Sequence, residues 1–295
     1  MDLQRTKDNL ISILQILRWN KPSGRLILLI PAGWSLWLAN NGQQNFSLII
    51  KIALGGLLVS GFGCVANDLW DSEIDKEVSR TKERPLAANK LNKIMAFFIL
   101  ILLMIASLVL TISIKGEGAI LSLSLAFLAL PFILIYPSTK RWFKFPQFFL
   151  SICWGFAVLI PWAAVKGDLK SFVLLFCWLA TIFWTFGFDT VYALADKKYD
   201  IKIGVNSSAI HLGSHTKKAV QLCYLCTSIF LGCSALLSDF DYLFWPIWFI
   251  TSILMQRDTI KIFKRKEQCI SLVSTHFRNQ VIYGSLFLLG FIISK

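Results

Sequence analysis

Two short acidic motifs hold the residues whose types and spacing point to chemistry. In NDLWDSEID, Asn67, Asp71 and Asp75 recur at i, i+4 and i+8 and stack along one face of a helix. Asp68 lies about 100° away on the same helix, either as a flanking ligand or as a solvated residue. In FDTVYALADKKYD, Asp189, Tyr192, Asp196 and Asp200 follow at i, i+3, i+7 and i+11, within about 60° on an ideal helix. Asp189 closes the apolar run CWLATIFWTFGF, where a carboxylate is costly and by default marks a functional site. Two facing carboxylate stripes repel each other unless a cation lies between them. Oxygen ligands from Asp and Asn suit hard Mg²⁺, which completes its shell with waters and phosphate oxygens. The implied chemistry is a polyphosphate held through Mg²⁺. Glu73 and Glu77 lie among these acids but read as solvated helix ends.

Basic residues surround the acids. Arg80, Lys82 and Arg84 in SRTKERPLA, and Tyr136, Lys140 and Arg141 in YPSTKR, are placed to neutralise a departing diphosphate. Lys140 falls four residues after Tyr136, on the same face if the segment is helical. Lys261, Lys264 and Lys266 read instead as topology signals that meet lipid headgroups.

Positioning these motifs requires long apolar elements, and the composition supplies them. Of 295 residues, 56% are hydrophobic, 14% aromatic and 16% charged, with a net charge of +13. That hydrophobicity excludes a disordered chain, and a basic nucleic-acid binder would be far more polar. Spans are predicted near 24–41, 47–67, 94–113, 117–136, 145–165, 170–189, 217–237, 241–256 and 278–294. Tight turns fall at Asn40–Gln44 and Lys115–Gly118. With nine crossings, every Lys and Arg except Lys51, Lys115, Lys166, Lys170 and Lys295 lies on one side. The positive-inside rule makes that side cytoplasmic, with the N-terminus and both acidic motifs, and places the C-terminus outside. The expected fold is an all-α integral membrane bundle of nine transmembrane helices around a central cavity. It is one domain, 1–295, with a short cytoplasmic segment 1–23 and no cleaved leader. The seven cysteines read as small packing residues, Cys269 in a polar loop apart. His211, His215 and His276 are too scattered to form a metal site.

NDxxDxxxD after one apolar span and DxxYAxxDxxxD after another, with YPxxKR between, resembles the UbiA superfamily of intramembrane aromatic prenyltransferases. The likeness runs from RWNKPSGRLILLIP, at Arg18, to about Gly213. ERPLA and GFDTVYALADKKYDIKIGVNSSA are most similar to the branch that prenylates 4-hydroxybenzoate. The resemblance implies a cavity open sideways to lipid. It matches Asn67, Asp71 and Asp75 to the first Mg²⁺–diphosphate motif and Asp196 and Asp200 to the second. Tyr136 and Lys140 match the pair beside the diphosphate, and Asp189 and Tyr192 fall in the FDxxYA lead-in. Arg18, Arg80, Arg84 and Arg141 complete the expected substrate contacts. The implied partners are a polyprenyl diphosphate, a phenolic aromatic acid and membrane lipid, with no nucleic acid.

One position departs from the pattern. Many benzoate-using relatives carry Arg seven residues before the motif Asn, where this chain has Ser60. Either Arg18 or Arg141 holds the acceptor carboxylate, or the acceptor is another phenol such as homogentisate or a naphthoate. The implied reaction is Mg²⁺-assisted loss of diphosphate, attack by the phenol ring on the allylic cation, and proton removal by Asp189, Asp196 or the diphosphate. Trp184, Phe188 and Tyr192 offer π faces to shelter the cation. A transporter is the distant alternative, but it would place its acids near the bilayer midplane. A CDP-alcohol phosphotransferase would need a DGxxAR motif that this sequence lacks.

Overall fold

A computed structural model describes residues 2–20, 23–40, 45–264 and 270–294. Lys21, residues 41–44 of one predicted turn, Arg265, Lys266 and Cys269 lie outside them. The described residues are helical, with no strand. In chain order the helices are α1 (Asp2–Ile16), α2 (Ser23–Asn40), α3 (Phe46–Asp71), α4 (Ile74–Glu77), α5 (Lys93–Ile112) and α6 (Ala119–Ile135). After a 3-10 turn at Tyr136–Arg141 come α7 (Pro146–Lys166), α8 (Phe172–Ala193), α9 (Lys197–Ile203) and α10 (Ser208–His211). The last three are α11 (Thr216–Leu236), α12 (Phe244–Lys264) and α13 (Ile270–Ile293).

A helix overlies each predicted span. Among the described residues, six helices are long and apolar enough to cross a membrane: Phe46–Asp71, Lys93–Ile112, Ala119–Arg141, Pro146–Lys166, Phe172–Ala193 and Gly213–Leu236. Their outer faces invert the pattern of a water-soluble protein. On α5, Ile94, Phe98, Leu102 and Val109 are each 61–70% exposed, which is stable only against lipid. The chain is an integral membrane protein.

The polar content of α12 and α13 has a structural reason, because much of it faces inward. His276 bonds Tyr224 Oη at 2.6 Å through Nε2 and Asp258 at 2.5 Å through Nδ1. Asn279 donates to Asp258 at 2.9 Å, and Trp184 donates to Gln280 at 2.9 Å. Such paired polar groups tie helices together where hydrophobic burial cannot discriminate protein from lipid.

Packing centres on two large buried clusters and a smaller one, Leu125, Ala129, Phe156 and Ala163, between α6 and α7. Trp34, Trp184, Tyr224, Phe244 and Phe287 centre a core shared by α2, α7, α8, α11, α12 and α13. A second core joins α1, α3 and α5 through Ile16, Leu17, Phe62, Val65 and Leu100. α8 packs against both α7 and α11, and α3 against α5. Small residues permit the closest approaches. A Cβ on Gly118 would lie 1.8 Å from the Ala163 carbonyl oxygen, so α6 begins where only glycine fits beside α7. Gly118→Ala is expected to destabilise the protein by about 1–3 kcal/mol, because backbone must move. Gly55→Ala, whose Cβ would meet Leu110 at an ordinary 3.6 Å, should be neutral or stabilising. Thermal unfolding of both variants in one detergent checks the contrast.

Candidate active site

Both acidic motifs reach the same cavity, of about 620 Å³, at one end of the bundle. Asn67 and Asp71 come from the last turns of α3. The predicted continuous face then breaks, since α3 ends at Asp71 and a separate turn of helix, α4, carries Asp75. Ser72 (φ −50°, ψ −36°) and Glu73 (φ −80°, ψ −40°) keep near-helical dihedrals across the break. Asp75 therefore still faces the cavity, which Asn67, Asp71 and Asp75 all line. The second motif is split more sharply. Asp189 and Tyr192 belong to α8, Asp196 caps α9, and Asp200 lies within α9. The bend at Leu194–Asp196 replaces the single predicted helix, yet all four residues line the cavity.

The segment after α6 is likewise not an α-helix. Pro137 follows Tyr136 and donates no backbone N–H, and the chain tightens into the 3-10 turn Tyr136–Arg141. Tyr136 and Lys140 both still line the cavity. The Lys140 carbonyl is pinned by the Asn206 backbone N–H at 2.7 Å and by Asn206 Nδ2 at 3.3 Å.

Each acid except Asp189 and Asp200 meets a cation from another element. Lys140 Nζ pairs with Asp71, and Arg141 reaches the same carboxylate at 3.3 Å. Arg84 bridges Asp75 at 2.8 Å and Asp68 at 3.2 Å. Arg18 holds Asp68 at 2.6 Å. Arg80 grips both oxygens of Asp196, with Nε at 2.9 and 3.1 Å and Nη2 closing the fork. Its guanidinium also lies over the Tyr192 ring, 5.1 Å from the centroid. Burial works against the Arg80 charge, but Asp196 and Tyr192 outweigh it and hold the pKa above its ordinary value. Burial first, and Asp196 second, push the Asp200 carboxyl up to about 7. A proton therefore competes with any cation that Asp200 binds. Asp189 makes no hydrogen bond or ion pair among the described residues.

Several predicted residues sit elsewhere, Lys82 among them as an exposed side chain off the cavity. Asp68 is neither solvated nor on the cavity wall; it is fully buried as the counter-ion of Arg18 and Arg84. Its position, one residue and so about 100° around the helix from Asn67, turns it toward those arginines. Arg141 is drawn out of the cavity by the end of α3. It donates to the Trp70 carbonyl at 2.8 Å and lies 5.8 Å from the Trp70 ring centroid. Trp184 and Phe188 are buried in the core, so of the three predicted cation shelters only Tyr192 lines the cavity. Trp154, which lines it too, and Asn206 were missed. Asn206 had a signal in the polar run NSS, whereas Trp154 had none among so many tryptophans. Glu73 is exposed, paired with Lys76 and Lys93, and Glu77 is exposed as expected.

Among the described residues, no three His, Cys, Asp or Glu side chains converge closely enough to hold a metal by themselves. The donor set nonetheless fits Mg²⁺. That ion takes one or two carboxylates plus phosphate oxygens and water, and seldom an all-protein cage. Asn67, Asp71, Asp75, Asp196 and Asp200 offer only oxygen ligands from two walls of one cavity.

Comparison with known proteins agrees with this geometry. The family described as the UbiA prenyltransferase family matches residues 28–272. A 4-hydroxybenzoate solanesyltransferase from Synechocystis sp. is 47% identical over 76% of this chain and 74% of its own. A 4-hydroxybenzoate octaprenyltransferase from Neisseria meningitidis is 33% identical over 90% of this chain and 88% of its own. Among solved structures, a UbiA homologue from Aeropyrum pernix superposes with a TM-score of 0.73 at 21% identity, covering 91% of this chain and 97% of that one. Another from Archaeoglobus fulgidus, bound to GPP and Mg²⁺, gives 0.69 at 15% identity, covering 96% and 99%. These two show the fold.

Arg84 is the pivot of the buried pairs, since its loss strips one cation from Asp68 and Asp75 together. Arg84→Ala is expected to cost about 3 kcal/mol of stability, as breaking a buried pair does. Lys93→Ala, at an exposed pair, should cost less than about 1 kcal/mol. Paired thermal unfolding curves of the two variants measure the difference.

Proposed function

The chain belongs to the UbiA prenyltransferase family, and on that premise we propose that it transfers a polyprenyl group from a polyprenyl diphosphate to the ring of 4-hydroxybenzoate, in quinone (ubiquinone or plastoquinone) biosynthesis. The observation that carries this reading is the convergence of both acidic motifs, Lys140 and Arg80 on one cavity. Asn67, Asp71, Asp75, Asp196 and Asp200 hold Mg²⁺ in this reading. When bound, the metal draws negative charge from the diphosphate and so favours its departure.

The chain's own residues do the rest. Lys140 and Arg80 are already paired with Asp71 and Asp196. From the cavity wall, both cations would face the diphosphate oxygens. Arg84 and the buried Asp68 keep the loop between α4 and α5 folded around Asp75. Tyr136, which lines the same cavity, orients the leaving group. Tyr192 presents its ring to the allylic cation and helps exclude water. Asp189, which like Asp200 meets no cation but is not assigned to the metal, is the base that removes the ring proton after attack.

The membrane setting follows from the donor, whose tail is insoluble in water while its head is anionic. We assign nine crossings, adding α2, α12 and α13 to the six most apolar helices. This topology puts the N-terminus and the site on the cytoplasmic side, supported by the distribution of Lys and Arg. The whole chain acts as one transmembrane domain.

Membranes holding the protein, supplied with Mg²⁺, labelled 4-hydroxybenzoate and polyprenyl diphosphates, should yield a ring-prenylated acid. Product from homogentisate or a naphthoate but none from 4-hydroxybenzoate would overturn the acceptor assignment. Chelation of Mg²⁺ should abolish turnover and re-addition restore it. Asp71→Ala and Asp196→Ala should each eliminate product while the protein stays folded, and near-normal turnover by either would remove that residue from the metal set. Asp189→Asn should lower turnover by about 100-fold or more with little change in donor KM; unchanged turnover assigns the proton to another base.

A further inference from the structure

The guanidinium of Arg25 differs from the other arginines around the cavity. Arg18, Arg80, Arg84 and Arg141 each touch a carboxylate. Among the described residues, no carboxylate pairs with Arg25. Its partners are neutral: Nε donates to the Arg18 carbonyl at 3.3 Å, Nη1 to Ser60 Oγ at 2.5 Å and Nη2 to Cys64 Sγ at 3.4 Å. The residue is only 5% exposed. A charge so deeply buried among neutral groups is costly unless an anion joins it. A guanidinium carries five N–H donors. The three bonds above leave one on each terminal nitrogen, the fork that grips a carboxylate through two parallel hydrogen bonds.

Arg25 stands directly behind the cavity wall, bonded to Ser60 and Cys64. Ser60 and Cys64 line the same cavity as Asn67 and Asp71, on one face of α3. From Asn67 back to Cys64 and Ser60 is about 5–10 Å along the helix, deeper into the bundle than the acidic cluster. An aromatic acid in that interval points its carboxylate inward and its ring toward the diphosphate-bearing carbon. The rival receptors are engaged elsewhere, since Arg18 is committed to Asp68, and Arg141 to Asp71 and the Trp70 carbonyl. Position 60, where serine stands instead of the expected arginine, is where the Arg25 guanidinium docks. The cation is therefore brought across from α2.

We propose that Arg25, supported by Ser60 and Cys64, receives the carboxylate of the aromatic acceptor and makes the chain selective for carboxylated phenols. This rests on the prenyltransferase reading above and names the residue that selects its acceptor.

Equilibrium binding tests it without requiring turnover. The purified full chain, with Mg²⁺, is titrated with 4-hydroxybenzoate and with its neutral analogue 4-hydroxybenzamide. The unaltered protein should bind the acid roughly 10- to 100-fold more tightly than the amide, the range for a charge-assisted hydrogen bond. Arg25→Gln should bind both equally, at the level of the amide. Arg25→Lys, which keeps the charge but loses the fork, should retain part of the preference and guards against a folding defect in the first variant. Binding of a prenyl thiodiphosphate should change by less than about 2-fold in both variants, as expected for a residue that does not touch the donor. Equal binding of acid and amide by the unaltered protein overturns the proposal, as does a full preference for the acid in either variant. If the preference exists and depends on Arg25 but no prenylated product forms with any donor, the reaction assignment fails while this site stands.

Discussion

Negative charge gathered at the edge of a membrane must be met by positive charge, and this requirement organises the site. The bundle brings Asp68, Asp71, Asp75, Asp189, Asp196 and Asp200 to one end, where several are largely withdrawn from water. Arg18 from the chain after α1, Arg84 and Arg80 from the loop after α4, and Lys140 from the 3-10 turn each answer one or two of them. Apart from the more local pairs of Arg84, these cross between elements far apart in sequence, so they also fix the loops that close the cavity. The electrostatics that fold the site and those that would serve a diphosphate are the same. Replacing side-chain cations by metal and phosphate leaves the number of paired charges similar, so ligand entry need not rebuild the fold.

Much of the fold was legible because apolar runs of membrane length are hard to mistake. The helices over 47–67, 94–113 and 170–189 lie where the hydrophobic pattern put them. The less apolar α12 and α13 show why pattern alone is weaker there: Asp258, His276 and Gln280 are polar in sequence but face one another inside the bundle. The motif residues were legible too, and both motifs converge. Their helices were not. Ideal periodicity carried a straight face through Asp75 and through Asp200, whereas the chain bends at Ser72–Glu73 and at Leu194–Asp196, where the apolar helices end. The bends preserve which residues face the cavity, since short irregular turns redirect the chain without reversing the side-chain pattern.

What the sequence could not reveal was lateral partnership. Asp68 and Asp71 are neighbours of one type, yet Asp68 anchors arginines behind the wall while Asp71 faces the cavity. Arg141 and Lys140 are adjacent cations, yet Trp70 captures one and Asp71 the other. Arg25 gave no signal, because its meaning depends on Ser60 from another helix. A substitution pattern read at a single position sees a lost arginine at Ser60; the three-dimensional arrangement sees the guanidinium supplied from α2.

The central claim is that the carboxylates of the two motifs act together, through Mg²⁺, on a diphosphate. Calorimetric titration of the purified chain with a non-reactive prenyl thiodiphosphate, across a series of Mg²⁺ concentrations, addresses this directly. The account predicts binding that rises steeply with Mg²⁺, is nearly absent without it, and weakens together for carboxamide variants on α3 and on α9. Equally tight binding in chelator, or a Mg²⁺ dependence that survives neutralisation of either motif, would contradict it.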